Sequence, residues 1–311
     1  MCGLFGFSTY CDQLIKGLTN LTNALAEQSA VRGIDATGIA YGKNGGITIY
    51  KEPKSAYLMD FKHPEETKAL IGHTRHSTQG SEKKNWNNHP FYGKARNGKF
   101  ALAHNGVLTN DDELKIKHSL PKTKVETDSF VAVQLIEQMK YLNFASIKHM
   151  AENVEGSFSF SILDGRDNIY LVKGDSPLIL LHFPREKIYV YASTEAILYK
   201  ALVDSFLFGS LKERQYEQIE IQEGDILKIR ADGQLERQMF DYQYYRGHCR
   251  WYDFGWRPHP TEDSSPKIGT TYVDDLKRFA MYQGFPEDAV EELLEDGFTP
   301  EEVEEYLYEC G

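Results

Sequence analysis

The chain is poor in cysteine and has no long apolar run. The four cysteines among its 311 residues are Cys2, Cys11, Cys249 and Cys310. Their spacing fits neither a zinc motif nor a dense disulfide framework, which indicates reduced thiols and a cytoplasmic location. No stretch of about 18 apolar residues is present, so we expect no membrane-spanning helix. The N-terminus also lacks the basic and apolar segments of a secretory signal.

Positive charge is scarce in one part of the chain only. The net charge is −11, and residues 261–311 carry 15 acidic and 3 basic residues. The other 260 residues are nearly neutral, with 31 acidic and 32 basic residues. An acidic segment repels phosphate groups and the body has no basic stripe, so we expect no nucleic-acid partner. We also expect no metal and no cofactor.

Hydrophobic periodicity predicts an α+β body over the first 240 residues. Leucines at 14, 18, 21 and 25 predict an amphipathic helix that runs to about Ala30. Thr127-Asp128-Ser129 precedes an apolar run, which predicts an N-capped helix to about residue 142. A short strand over 100–103 is predicted to end at His104-Asn105-Gly106, and antiparallel strands are predicted from Gly156 onward.

The chain beyond residue 240 divides into two parts. Residues 241–264 are crowded with tyrosine and tryptophan, which linkers lack, so we expect an arm packed on the body or an exposed contact surface for another protein. Residues 265–311 predict a small acidic appendage of three helices. Thr299, Pro300 and Glu302 form a capping-box pattern at the start of the third helix. We therefore expect boundaries at 2–240, 241–264 and 265–311.

Five polar positions form a candidate catalytic set. If Met1 is removed, Cys2 carries both a nucleophilic thiol and an α-amine, a base whose pKa is roughly 7.7–8. Asn105 and the backbone N–H of Gly106 offer donors for a developing oxyanion. Arg75 suits a carboxylate and Asp128 suits an ammonium group. Together these groups suit an α-amino acid whose side-chain carbonyl is presented to the thiol.

Each member of this set also has a simpler interpretation. Cys2 is then a buried thiol, and Arg75 belongs to a structural ion pair. Asp128 is then a helix cap, and Asn105-Gly106 is an ordinary turn. Only the combination of all five positions favours catalysis.

Several motifs, in this order and spacing, resemble the glutaminase domain of class II glutamine amidotransferases, which are N-terminal-nucleophile (Ntn) hydrolases. They are Cys2-Gly3-Leu4-Phe5-Gly6, Arg32-Gly33-Ile34-Asp35-Ala36-Thr37-Gly38, Gly72-His73-Thr74-Arg75-His76-Ser77-Thr78-Gln79-Gly80, His104-Asn105-Gly106 and Thr127-Asp128-Ser129. The resemblance implies a four-layer αββα sandwich of two antiparallel sheets. It also implies that Cys2 attacks the side-chain amide of L-glutamine, releases ammonia and leaves a γ-glutamyl thioester that water hydrolyses.

The resemblance also assigns roles to single residues. Arg75 is expected to hold the substrate carboxylate and Asp128 its ammonium group. Thr78 and Gly106 are expected to line the substrate pocket, and Arg32 is expected to lie close to the nucleophile. Asn105 and the Gly106 N–H are expected to form the oxyanion hole, and residues 79–89 a lid.

Members of this family usually fuse the domain to a second one that uses the ammonia. Only 71 residues follow position 240, and none of them forms a Gly-rich phosphate loop. We therefore expect a glutaminase component that supplies ammonia to a separate synthetase or transferase. One alternative is a stand-alone Ntn amidohydrolase of another γ-glutamyl or amide substrate. A second alternative is a non-catalytic binding or scaffold protein on the same fold.

Overall fold

The structure is a computed structural model. It describes residues 2–43, 45–205 and 215–242 and, farther along the chain, 273, 276–277, 280, 285–286, 288–295 and 298–310. The chain divides after Tyr242 into two compact units, and each is described by itself. Among the described residues, no helix combines the length and apolar character needed to cross a bilayer.

The first unit is built around two antiparallel sheets. Its strands, in chain order, are β1 Gly3–Thr9, β2 Ala36–Lys43, β3 Gly46–Glu52, β4 Ala69–Arg75, β5 Phe91–Ala95, β6 Gly98–Leu108, β7 Gly156–Asp164, β8 Ile169–Lys173, β9 Ile179–Phe183, β10 Ile188–Ala192, β11 Glu217–Ile219, β12 Asp225–Ile229 and β13 Leu235–Met239. The first sheet has the spatial order β11-β9-β10-β1-β4-β2-β3, and the second has the order β13-β12-β8-β7-β6-β5.

Helices cover the outer face of each sheet. They are α1 Leu18–Ser29, α2 Asp111–Lys117, α3 Phe130–Gln138, α4 Phe144–Asn153 and α5 Glu195–Asp204. Apolar residues of α1 and α5 pack with Phe5 and Phe7 on the first sheet, and those of α3 and α4 pack with Phe160 on the second sheet. A third core, which includes Leu4 and Ala103, lies between the sheets. The predicted four-layer αββα sandwich is therefore confirmed.

Strand alternation explains why three cores form. Successive side chains of a strand point to opposite faces, so Phe5 and Phe7 face the helices while Leu4 faces the other sheet. Strands β1 and β4 lie side by side in the middle of the first sheet, where Phe5 pairs with Gly72. The same alternation places Cys2, two residues before Leu4, at the end of the layer between the sheets.

The structure corrects three expectations about local elements. The first helix begins at Leu18 rather than near residue 14, because Gly17 adopts a left-handed conformation with φ 92° and leaves Leu14 exposed. The strand expected to end before His104 continues to Leu108, because β7 pairs with it along this length. The helix after Asp128 begins at Phe130 without a side-chain cap. Strands β1, β4, β5, β11 and β13 and helices α2 and α4 were not predicted.

The second unit contains α6 Ala289–Glu295 and α7 Pro300–Cys310. The predicted capping box of the last helix is confirmed, because Thr299 N donates to Glu302 Oε2 at 2.8 Å and Glu302 N donates to Thr299 Oγ1 at 3.3 Å. Leu276 lies where the first of the three helices was predicted, and it is helical and buried. The aromatic arm expected at residues 241–264 lies outside the described residues, apart from its first two positions.

Gly72 offers a test of the packing between β1 and β4. A Cβ atom at this position would lie 2.1 Å from Phe5 Cε2, so we expect Gly72→Ala to lower the free energy of unfolding by about 1–3 kcal/mol through overpacking. Urea denaturation measures this change. The control is Gly46→Ala, whose new Cβ would have Lys43 O as its nearest neighbour at 3.5 Å. Equal effects of the two substitutions would contradict the packing argument.

Candidate active site

Cys2 lies at the start of β1, beside the end of β4. Gly3 pairs with Thr74, so the preceding residue of β1 lies next to Arg75. The Cys2 thiol donates a weak hydrogen bond to the carbonyl of His76, with an Sγ–O distance of 3.5 Å. Cys2 is half-buried. The thiol therefore sits at the edge of the layer between the sheets rather than deep in a core.

The segment that follows α1 contacts the backbone of Cys2 and the end of β4. Arg32 is buried, and its Nε donates to the carbonyl of Cys2 at 2.8 Å. Gly33 lies so close to the backbone of β4 that a Cβ there would be 2.4 Å from the carbonyl carbon of Arg75. Asp35 then bonds to the end of β4 and to the residues after it. Its N–H donates to Arg75 O at 3.0 Å, and its carboxylate accepts from Ser77 N at 2.7 Å. These contacts explain why the motif needs an arginine, a glycine and an aspartate in this order.

Arg75 is buried and is bonded to the segment that follows β4. Its Nη2 donates to the carbonyls of Gln79 and Gly80, both at 2.7 Å, and its Nη1 donates to Asn88 Oδ1 at 2.7 Å. Three of its five N–H groups are used in this way, including both of those on Nη2. Burial lowers the pKa of Arg75, and the neighbouring thiol and carboxylates oppose that shift. The guanidinium thus anchors the loop expected to act as a lid.

Lys51, which the sequence analysis did not select, supports the same loop. Its ammonium group donates to the carbonyls of Asn88 and, at 2.9 Å, Pro90. Burial lowers the pKa of Lys51 to about 8, and the charge of Arg75 adds to this effect. No motif surrounds this lysine, which occupies an ordinary strand position of β3. The loop expected to act as a lid is buried at its C-terminal end, because residues 87–90 are all buried.

Asn105 and Gly106 occupy the middle of a strand pair. Asn105 pairs with Ser159 and Gly106 with Phe158. Asn105 is 1% exposed, and neither Oδ1 nor Nδ2 of its amide has a hydrogen-bond partner among the residues that the structure describes. Gly106 has φ 131°, and a Cβ there would lie 2.0 Å from the carbonyl oxygen of Ser157, so only glycine fits. A buried amide without partners costs about 1–3 kcal/mol, which marks it as a group kept for a ligand.

Asp128 does not cap the helix that follows it. Its Oδ2 accepts from the backbone N–H of Leu108 at 2.6 Å, and its Oδ1 accepts from Ser129 Oγ at 3.1 Å. Both contacts hold the buried carboxylate near β6, next to Asn105 and Gly106. Thr78, by contrast, is exposed in the loop after β4.

A buried histidine joins the two sheets at this point. His73 of β4 lies 2.9 Å from the carbonyl of His104 on β6 through its Nε2. Burial lowers the pKa of His73 to about 3, so the ring is neutral and its Nε2–H donates to that carbonyl. The ring of His89 lies nearby in a tilted orientation, with a centroid distance of 4.2 Å to His73. The contact between His73 and His104 holds the strand that carries Arg75 against the strand that carries Asn105.

The electrostatic environment of the thiol shows which charges meet there. Burial raises the pKa of Cys2; a backbone hydrogen bond with His76 and the charge of Arg75 lower it, and the charge of Asp128 raises it. The structure therefore brings Cys2, Arg32, Arg75, Asn105, Gly106 and Asp128 to one end of the layer between the sheets. It adds Lys51, His73, Asn88, His104 and Ser129, of which His73, His104 and Ser129 lie within the motifs quoted from the sequence.

Comparison with known proteins agrees with this arrangement. Residues 73–200 match a family model described as a glutamine amidotransferase domain. Glutamine–fructose-6-phosphate aminotransferase (isomerizing) of Staphylococcus aureus strain Mu50 is 34% identical over 196 residues, which cover 58% of this chain and 30% of that protein. The Staphylococcus epidermidis enzyme of the same name, from strain RP62A, is 33% identical over 192 residues with the same coverage. The chain thus spans about 30% of the length of these curated relatives.

Solved structures support the fold. Glutamine phosphoribosylpyrophosphate amidotransferase from B. subtilis, in complex with ADP and GMP, superposes with a TM-score of 0.61 at 22% identity. The superposition covers 78% of this chain and 50% of that one. The matched domain model, the two-sheet fold and the cysteine before β1 lead to one conclusion: the chain carries a glutamine amidotransferase domain of the class II, N-terminal-nucleophile type.

Proposed function

We propose that this chain hydrolyses the side-chain amide of L-glutamine and supplies the ammonia to a separate acceptor enzyme. The observation that carries the first half is the buried, unpartnered amide of Asn105, beside the strand pair that holds Cys2 and Arg75. A protein tolerates such a group where a ligand satisfies it. A tetrahedral oxyanion, formed when a thiol attacks an amide carbonyl, supplies the acceptor that the Asn105 N–H₂ lacks.

The nucleophilic step starts from a processed chain. Once Met1 is removed, the α-amine of Cys2 accepts the thiol proton, and Sγ forms a bond to the amide carbon of glutamine. The C–N bond then breaks, and the proton leaves with ammonia. Water attacks the resulting γ-glutamyl thioester and releases glutamate. The contact between Arg32 and the Cys2 carbonyl holds the backbone of the nucleophile during these steps.

The two charged ends of glutamine match the two charges at the site. Arg75 binds the α-carboxylate and Asp128 binds the α-ammonium group. A carboxylate held by two parallel N–H groups uses one hydrogen of Nη2, and Nη2 donates to the carbonyls of Gln79 and Gly80. Substrate binding therefore displaces one of these carbonyls, which couples the occupancy of the site to the loop over residues 79–89.

Delivery of ammonia to an acceptor is suggested by the name of a relative. The S. aureus relative is named for amino transfer to fructose 6-phosphate, and this chain matches 30% of it. Residues 243–311 form a separate unit. We propose that its acidic helices and the aromatic segment at 241–264 are the surfaces that meet the acceptor. Copurification with the acceptor, with and without residues 265–311, tests this role.

Cys2→Ala tests the nucleophile. We expect glutamate release from glutamine by protein whose N-terminal mass shows Cys2 as the first residue, and a decrease of at least about 10³-fold in the variant. An enzyme-coupled glutamate assay measures both rates. The control is Cys11→Ala, which removes a partly buried thiol near the far end of β1 and should retain full activity. Equal activity of wild type and Cys2→Ala would refute the proposed nucleophile.

Arg75→Lys tests recognition of the α-carboxylate. A lysine keeps the positive charge but loses the planar pair of donors, so we expect the KM for glutamine to rise about 30-fold with a smaller change in kcat. Steady-state kinetics separate the two constants. Arg166→Lys, at an exposed turn between β7 and β8, is the matched control. An unchanged KM in Arg75→Lys would assign the carboxylate to another residue.

Asn105→Ala tests the oxyanion donor. Because the amide acts on charge that develops in the transition state, we expect kcat to decrease about 10²- to 10³-fold with little change in KM. Circular dichroism confirms that the variant is folded. Asn20→Ala, on the exposed surface of α1, serves as the control. A change in KM alone would place Asn105 in ground-state binding instead.

A further inference from the structure

A chain of hydrogen bonds connects the ring of His104 to Asp128 through Ser129. His104 Nδ1 lies 2.8 Å from Ser129 Oγ, and Ser129 Oγ lies 3.1 Å from Asp128 Oδ1. The other carboxylate oxygen accepts from Leu108 N at 2.6 Å. The three side chains are no more than 4% exposed, so solvent does not compete for these contacts.

The serine hydroxyl has one proton and two neighbours, so it donates in only one direction. If it donates to Asp128, then His104 Nδ1 must carry a proton and donate to Ser129 Oγ. If it donates to His104 instead, Asp128 Oδ1 faces the lone pairs of the serine oxygen at 3.1 Å, which is repulsive. The position of the proton on the His104 ring therefore decides whether the Ser129 hydroxyl donates to Asp128 or to His104.

The geometry selects the first arrangement. His104 Nε2 has only a long contact, 3.4 Å to the carbonyl of Ser157, whereas Nδ1 has the short contact to Ser129. Burial lowers the pKa of His104, although the charge of Asp128 opposes the shift, so the ring is neutral and has a single N–H. The proton is therefore on Nδ1, which makes the shorter contact. His104 Nδ1–H donates to Ser129, and Ser129 donates to Asp128.

We infer that Ser129 and His104 are positioning residues for the substrate's α-ammonium group, because they fix the orientation of the Asp128 carboxylate that binds it. The inference rests on the proposed function, since it assumes an amino-acid substrate at Asp128. With Oδ1 bonded to Ser129 and Oδ2 bonded to Leu108 N, the carboxylate cannot rotate, and a lone pair on each oxygen remains for the ammonium group.

His104 is well held for this purpose. Its ring stacks on Phe160 with a centroid distance of 4.6 Å, and its carbonyl accepts from His73 at 2.9 Å. The next residue along β6 is Asn105. The same strand segment therefore presents the oxyanion donor on one face and the support of Asp128 on the other, because successive side chains of a strand alternate.

The test compares two ligands that differ only in the amino group. Cys2→Ala protein is titrated by calorimetry with L-glutamine and with 4-carbamoylbutanoate, which has the same amide and carboxylate but no amine. We expect Ser129→Ala in this background to raise the Kd for glutamine about tenfold and to leave the Kd of the analogue within about twofold. Ser129→Thr keeps the hydroxyl and should restore glutamine binding. Ser205→Ala, a buried serine of the helix α5 terminus, is the matched control.

His104 variants separate a positioning role from simple packing. His104→Asn places an amide N–H near the position of Nδ1 and should retain most glutamine affinity, whereas His104→Leu should weaken binding as Ser129→Ala does. The double variant His104→Leu/Ser129→Ala should be no weaker than either single variant, because both break the same chain. Long-range ¹H–¹⁵N spectra of the Cys2→Ala protein should show the His104 proton on Nδ1.

The outcomes are distinguishable. Equal weakening of both ligands by Ser129→Ala, or a His104 proton on Nε2, overturns the inference; if wild-type protein still releases glutamate from glutamine, the proposed function stands. Protein with Cys2 as its first residue that neither binds nor hydrolyses glutamine overturns both. Selective loss of glutamine affinity, restored by Ser129→Thr, supports the inference.

Discussion

The antiparallel pairing of β1 with β4 is the constraint on which the site depends. Leu4 pairs with His73 and Phe5 with Gly72, so the start of β1 can lie only beside Arg75. The Phe5 ring lies over a position without a side chain, and any other residue at Gly72 would push the strands apart. Because alternation directs Leu4 and Ile71 into the layer between the sheets, Cys2 and Arg75 reach the polar end of that layer. The nucleophile is thus placed by sheet packing far more than by its own neighbours in sequence.

Burial governs the charges around the nucleophile. Lys51 and Arg75 bring two cationic side chains to the buried loop over residues 87–90, and both have lowered pKa values because they are desolvated. Burial lowers the pKa of His73 to about 3 as well, and the charges of Arg75 and Lys51 add to this effect. The neutral ring can then join the two sheets through one hydrogen bond without adding charge. The charged groups that remain, one guanidinium and one carboxylate, are those that an α-amino acid complements.

The loop after β4 links substrate recognition to the body of the protein. Arg75 holds it from one side through Asn88 and the carbonyls of Gln79 and Gly80, and Lys51 holds its far end through Pro90. A ligand that takes donors from Arg75 changes these contacts directly. Arg75, which we propose binds the substrate carboxylate, is therefore also the residue that holds this loop.

The sequence by itself determined the parts of this protein that depend on local chemistry. The capping box at Thr299 was predictable because it depends on residue types at short spacing, and the motifs carried the resemblance that implied the αββα class. Only the tertiary structure decided the rest. Asn105-Gly106 reads locally as a turn, yet β7, about 50 residues later, extends the strand through it. Asp128 reads as a helix cap, yet Leu108 N offers it a stronger partner, and Lys51 has no signal at all. These roles arise from pairing between distant segments, which short-range patterns do not record.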